Sequence, residues 1–159
     1  MSATSGGVNA SCFAIELAGE TLELHPNRSM WWAKEKTLLI SDVHLGKSAH
    51  FRKHGIAIPK EVNASSLARL EILIRTYSPE RVLGLGDLFH SDLNAEWAEF
   101  RHWLIRVYAT YSLQEFRLVE GNHDILPDDA FDGIKVTRSA QWSSGPFDFV
   151  HDPGDFQTQ

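Results

Sequence analysis

Four short polar clusters in this 159-residue chain carry residue types able to hold divalent cations: Ser41-Asp42-Val43-His44-Leu45-Gly46, Gly86-Asp87-Leu88-Phe89-His90, Gly121-Asn122-His123-Asp124 and His151-Asp152. Each follows a short apolar run: Thr37–Ile40, Arg81–Leu85, Phe116–Val119 (through Glu120) and Phe147–Val150. Asp42 and His44 are two residues apart on an extended chain. Their side chains therefore leave the same face, roughly 7 Å apart at Cα, and can converge on one cation. Carboxylates, imidazoles and a carboxamide without a thiolate suit six-coordinate Mn²⁺ or Fe²⁺, or Zn²⁺, better than a structural zinc knot. Two divalent cations would outweigh the charges of Asp42 and Asp87, and Asn122 adds none. The surplus positive charge can hold a hydroxide and a phosphate, and cations ~3.5–4 Å apart acidify the water between them.

Each residue has a plainer role when taken alone. Asp42 could cap a turn, His44 could be a surface histidine, Asp87 could start a loop, and Asn122 after Gly121 could simply turn the chain. What such roles leave unexplained is four successive strand ends carrying them. In open α/β sheets ligands bind beyond the carboxyl ends of the strands.

The elements that must position these residues follow from periodicity. Phe13–Ala18 and Thr21–His25 flank Gly19-Glu20 as a hairpin, Pro26-Asn27 turns the chain, and Met30–Ala33 and Thr37–Ile40 flank a Lys34-Glu35-Lys36 turn. Residues 61–77 space Leu67, Leu70, Ile74 and Tyr77 as one helical face, and residues 95–108 do the same with Trp97, Phe100, Leu104, Val107 and Tyr108. Further strands are expected at 81–85, 116–119, 134–136 and 147–150. Strands alternating with helices after an opening run of strands give an α/β sandwich. Of Trp31 and Trp32, strand alternation sends one to the core and one to the outer face, where it could stack on a base.

Composition bounds the rest. Apolar content of 43% with 23% charge is that of an ordinary globular domain, and this length buries about two-thirds of the unfolded surface. Residues 1–11 read as a disordered tail with neither the charged start nor the apolar stretch of a signal peptide, and 12–159 as one domain. The single Cys12 opens an apolar run, reads as a buried thiol, and fits a reducing cytoplasm. No apolar run reaches the ~20 residues that span a bilayer. A net charge of −6 argues against coating nucleic acid by bulk electrostatics. Residues 46–60, however, contain Lys47, Arg52, Lys53 and Lys60 and no acid, which suits an anionic substrate at one place.

Asp-x-His, Gly-Asp, Gly-Asn-His-Asp and a later strand-end His, in this order, resemble the calcineurin-like metallophosphoesterases across residues 12 to 155. The resemblance implies a four-layer α/β/β/α sandwich with two divalent metal ions, Mn²⁺ first among them, between the sheets. Asp42 and His44 would bind the first metal, Asp87 would bridge, and Asn122 with His151 would bind the second. His123 would face the substrate as the catalytic acid or phosphoryl-stabilising group, with Asp124 as a supporting partner. Leu24-His25-Pro26, Trp31-Trp32, Ser41-Asp-Val-His-Leu-Gly-Lys47 and Phe51-Arg52 further resemble the bacterial ligase-associated DNA-damage-response phosphoesterases. That implies a phosphodiesterase or endonuclease acting on DNA with a ligase and a helicase. Lys47 and Arg52 would hold substrate phosphate, and His90 either leans toward the substrate or caps its loop.

The chain departs from the family in lacking the later Gly-His-x-His motif, so five of seven expected metal ligands are present. It reads as C-terminally truncated, with an exposed edge strand through which two copies could pair. Two other readings stay open: a hydrolase of a small nucleotide or pyrophosphate, and a non-catalytic binding remnant.

Overall fold

The computed structural model describes residues 12–43, 61–89, 95–122, 124 and 126–155. The chain opens with a meander: β1 (Phe13–Leu17), β2 (Glu20–His25), β3 (Ser29–Trp32) and β4 (Thr37–Ile40), each antiparallel to the last. It then changes to parallel pairing. Helix α1 (Glu61–Tyr77) leads to β5 (Arg81–Leu85), helix α2 (Ala95–Thr110) to β6 (Glu115–Val119), and β7 (Val136–Ser139) closes the sheet. Strand order follows chain order from β1 to β7, with β4, β5, β6 and β7 parallel. A second, two-stranded sheet pairs β8 (Gln141–Ser144) with β9 (Phe147–Val150).

This order fixes the layers. Parallel crossovers are right-handed, so crossovers stepping in one direction put their helices on one face. Leu67, Leu70, Leu73 and Ile74 of α1 and Phe100, Trp103, Leu104 and Val107 of α2 accordingly share one core with Leu38, Ile40, Val82, Phe116 and Leu118. The alternate strand residues Leu39, Leu83 and Val119 face the other way. There they form a second core with Leu22, Trp32 and Phe149, against which Trp142 and Phe147 pack. Helices, large sheet and small sheet are three layers of the α/β/β/α sandwich. Among the described residues no helix covers the outer face of the small sheet, and none is long and apolar enough to cross a membrane.

Several sequence expectations need correction. Trp31 does not face outward: it is half-buried, stacked on Tyr77 of α1 with ring centroids 5.1 Å apart. Both faces of β3 are covered, one by the helices and the other by the small sheet. Cys12 is exposed, its Sγ 3.7 Å from the Tyr77 hydroxyl, because β1 is an edge strand whose side chains are mostly exposed. The first hairpin turns at Ala18-Gly19, where φ is 51° and 81°, the double-positive geometry that matches strand twist. Glu20 therefore starts β2, and its buried carboxylate accepts from Trp32 Nε1 at 2.9 Å. The strand expected at 134–136 lies at Val136–Ser139, and β8 was not anticipated.

The two helices are tied by one acid. Glu71 of α1 accepts from Arg106 Nη1 and Nη2 at 2.7 Å each, from Trp103 Nε1 at 3.1 Å and from the Tyr111 hydroxyl at 3.1 Å. These donors, Arg106 first, hold its carboxyl below the ordinary 4.5. A depressed carboxyl contributes stability that is present above the unfolded value and lost as pH falls through the folded one. Glu71→Gln should therefore melt at lower temperature than wild type at neutral pH. The gap should close as pH drops below 4.5; a gap independent of pH would mean that charge is not the source.

Candidate metal centre

β4, β5 and β6 are adjacent and parallel, so Asp42, Asp87 and Asn122, which follow them, stand along one edge of the sheet. Neighbouring strands lie about 4.8 Å apart. Asp42 and Asp87 both have left-handed backbones, with φ of 51° and 50°. That region is uncommon for residues with a side chain, although aspartate is among those that tolerate it. At a strand end it turns the chain sharply, so each carboxylate is presented at the sheet edge. Such outliers cluster at functional sites, where the surrounding structure holds them.

Asp87 is buried, at 9% exposure, and its surroundings are close-fitting. A Cβ on Gly121 would lie 2.5 Å from Asp87 Oδ1 and 2.6 Å from its backbone nitrogen. The ends of β5 and β6 thus approach more closely than any side chain at 121 would allow. Gly86, at φ 76°, plays the same part toward the small sheet, since a Cβ there would fall 2.0 Å from His151 Nδ1.

His151 follows β9 and reaches across to this edge, its Nε2 3.5 Å from Asp87 Oδ2. Its Nδ1 lies 3.3 Å from the Leu85 carbonyl oxygen. A carbonyl only accepts, so the proton of that bond belongs to Nδ1, and in the neutral ring Nε2 carries the lone pair. A metal-binding histidine commonly donates its other N–H to a backbone carbonyl in this way, which fixes the tautomer. An imidazole nitrogen and a carboxylate oxygen 3.5 Å apart are held together by a positive charge shared between them, a proton or a metal cation. Tetrahedral ligands with bonds of ~2.1 Å sit at about that spacing. The Asp87–His151 pair therefore fits a divalent cation.

Asp124, at 4% exposure, ties the loops together. Its Oδ1 accepts from Phe89 N at 3.0 Å and its Oδ2 from Gly121 N at 2.9 Å, and the Asp87 amide also donates to it. Burial raises its carboxyl above the ordinary range, against the pull of these amide donors, and the nearby charge of Asp87 raises it further. It buttresses the backbone on both sides of Asp87.

Of the residues singled out in the sequence, the fold brings Asp87 and His151 together and puts Asp42 and Asn122, both exposed, at neighbouring strand ends. His44, Lys47, Arg52, His90 and His123 lie outside the described residues. Among the described residues no three His, Cys, Asp or Glu side chains gather as a metal cluster. The steric roles of Gly86 and Gly121 escaped the sequence reading. Each directly precedes a candidate ligand, and that adjacency was the available signal.

The family model of the calcineurin-like phosphoesterases matches residues 35–156. The chain belongs to this family and is a phosphoesterase hydrolase that uses divalent metal ions. Its fold is similar to that of the Pseudomonas putida nuclease MPE, with 28% identity and a TM-score of 0.70 over 90% of this chain and 67% of that one. Curated protein sequences gave no match.

Proposed function

We propose that the chain is a phosphodiesterase that cuts DNA with two divalent cations, Mn²⁺ foremost, in a repair setting. The observation that carries this reading is the Asp87–His151 pair, 3.5 Å apart at the edge where Asp42 and Asn122 also end their strands. Likeness to a nuclease supports a nucleic-acid substrate. In this reading Asp42 and His44 hold one cation, Asp87 is shared, and Asn122 with His151 holds the other. Bound cations supply an acidified water and neutralise charge on the phosphoryl oxygens.

The remaining work falls to the chain itself. The Leu85 carbonyl keeps the His151 lone pair turned toward Asp87. Asp124 keeps the loops rigid, so both groups are oriented before substrate arrives. His123 donates to the phosphoryl oxygens or protonates the leaving group, while Lys47, Arg52 and His90 hold substrate phosphate. A DNA ligase and a helicase as partners, and pairing of two copies through an edge strand, belong to the same reading.

The test is direct. The purified chain, loaded with Mn²⁺, Fe²⁺ or Zn²⁺, should retain metal on desalting and hydrolyse bis-p-nitrophenyl phosphate in preference to p-nitrophenyl phosphate. It should also cleave oligodeoxynucleotides. Preference for the monoester, or no retained metal, would overturn the reading.

A further inference from the structure

We infer that Arg28 and Arg69 form a second phosphate-binding position beside the metal centre, one that grips a polynucleotide backbone next to the bond being cut. The inference rests on the phosphodiesterase reading above and deepens it by specifying a polymeric substrate.

A cleft of about 100 Å³ opens where three elements meet: the β2–β3 turn, the end of β4 and the middle of α1. Its floor is apolar, made by Ile40, Leu70 and Leu73. Its rim is polar, with the Arg28 and Arg69 side chains both exposed. Asp42 lines the same cleft, which places the cleft beside the strand end that carries this candidate ligand.

Among the described arginines only these two and Arg75, which does not line the cleft, have no hydrogen-bonded or ion-paired side chain. Arg81, Arg106, Arg117 and Arg138 are each tied to a carboxylate, and Arg101 to a carbonyl. The acid among the described residues lining the cleft, Asp42, serves the cation in this reading. What remains is two guanidinium groups at one opening, whose planar forks match phosphate oxygens.

Their bases are firmly placed. Arg28 sits in a left-handed backbone at φ 56°. The turn that carries it is held by His25, whose Nδ1 accepts from Asn27 N at 3.1 Å. The His25 ring in turn sits edge-on to Tyr77 of α1, centroids 6.0 Å apart, and α1 carries Arg69. Turn and helix thus form one frame. Since Asp42 is the one candidate metal ligand among the described residues lining the cleft, a phosphate there would neighbour the scissile one, which a mononucleotide cannot supply.

The experiment uses the Mn²⁺-loaded full chain and fluorescence anisotropy of a labelled, phosphorothioate-linked oligothymidylate, which keeps the backbone charge and resists hydrolysis, so that binding is read apart from turnover. The double variant R28A/R69A should bind the oligomer at least about tenfold more weakly. Its dependence of log affinity on log salt should flatten by about 0.7 per lost phosphate contact. Hydrolysis of bis-p-nitrophenyl phosphate and binding of a thymidine dinucleotide, too short to reach the cleft, should stay at wild-type levels. R28K/R69K should restore most of the salt slope. Wild-type affinity and slope in the alanine double variant would overturn the inference while leaving the phosphodiesterase reading intact. So would an equal loss for dinucleotide and oligomer, since that would put both arginines at the scissile phosphate or in the fold. A wild-type chain that retains no divalent cation and cleaves no diester instead removes the reading beneath it.

Discussion

Gly121→Ala should lose more than about 100-fold in hydrolysis and melt well below the wild type. The added methyl would stand 2.5 Å from Asp87 Oδ1, 2.6 Å from Asp87 N and 3.1 Å from Gly86 Cα. Two of those three atoms are backbone, so no rotamer change relieves the clash. The ends of β5 and β6 would have to part, although Leu85 and Val119, two residues before Asp87 and Gly121, are register partners. Overpacking of this kind typically costs about 1–3 kcal/mol. The Gly121 amide would also move from its 2.9 Å bond to buried Asp124, and a buried acceptor deprived of its donor costs about 1–3 kcal/mol more. Against a total stability of about 5–15 kcal/mol this is a large share. The effect on rate exceeds that on folding, because a shift of about 1 Å in a positioned group can cost 10²-fold. Gly86→Ala clashes as well. Its methyl meets the His151 side chain from Nδ1 at 2.0 Å to Cβ at 2.9 Å, and alanine is strained at φ 76°, so bound metal and melting temperature should fall together. Circular dichroism melts beside metal content read both, and a Gly121→Ala chain with wild-type melting and turnover would show that these strand ends are not packed as described.

How much of this was legible beforehand depends on what each element rests on. Both helices and the strands at 37–40, 81–85 and 147–150 could be read because their apolar residues repeat at fixed periods over a buried face. β4 is buried at all four positions, the signature of a strand covered on both sides. The order of ligand-bearing strand ends was legible for the same reason. β8 was not: Gln141-Trp142-Ser143-Ser144 offers one large apolar residue, and its pairing depends on β9 rather than on its own pattern. β7 was misjudged by two residues since, as an edge strand, all four of its positions are only half-buried and polar residues serve there. Trp31 was misread because alternation tells which face a residue takes but not that both faces are covered. The left-handed backbones at Asp42 and Asp87 have no counterpart in composition, since aspartate is equally at home in an ordinary turn.

His123→Ala and Asp87→Asn should both nearly silence the enzyme, and they should do so by different routes. Asparagine preserves the shape of Asp87 and tolerates its left-handed backbone at φ 50°, so the fold should survive. What disappears is the one anionic charge that, among the described residues, contacts His151 Nε2. Without it a cation between the two loses its counter-charge. Metal affinity should fall beyond the ~10–100-fold that altering a supporting partner typically costs, and hydrolysis should fall with it. His123 follows Asn122 in the sequence, and in the proposed role it acts on the substrate rather than on the metal. Alanine there should leave bound metal at wild-type levels and lower the rate by roughly 10²–10⁴, the usual contribution of a positioned acid or base. Raising the Mn²⁺ concentration should partly rescue Asp87→Asn and do nothing for His123→Ala. Substrates with better leaving groups should do the reverse, since a leaving group that needs no proton makes an acid dispensable. Metal content by atomic emission, beside rates on diesters of graded leaving-group acidity, reads both. If His123→Ala loses its metal, the histidine is a ligand and the division of labour at this sheet edge must be redrawn.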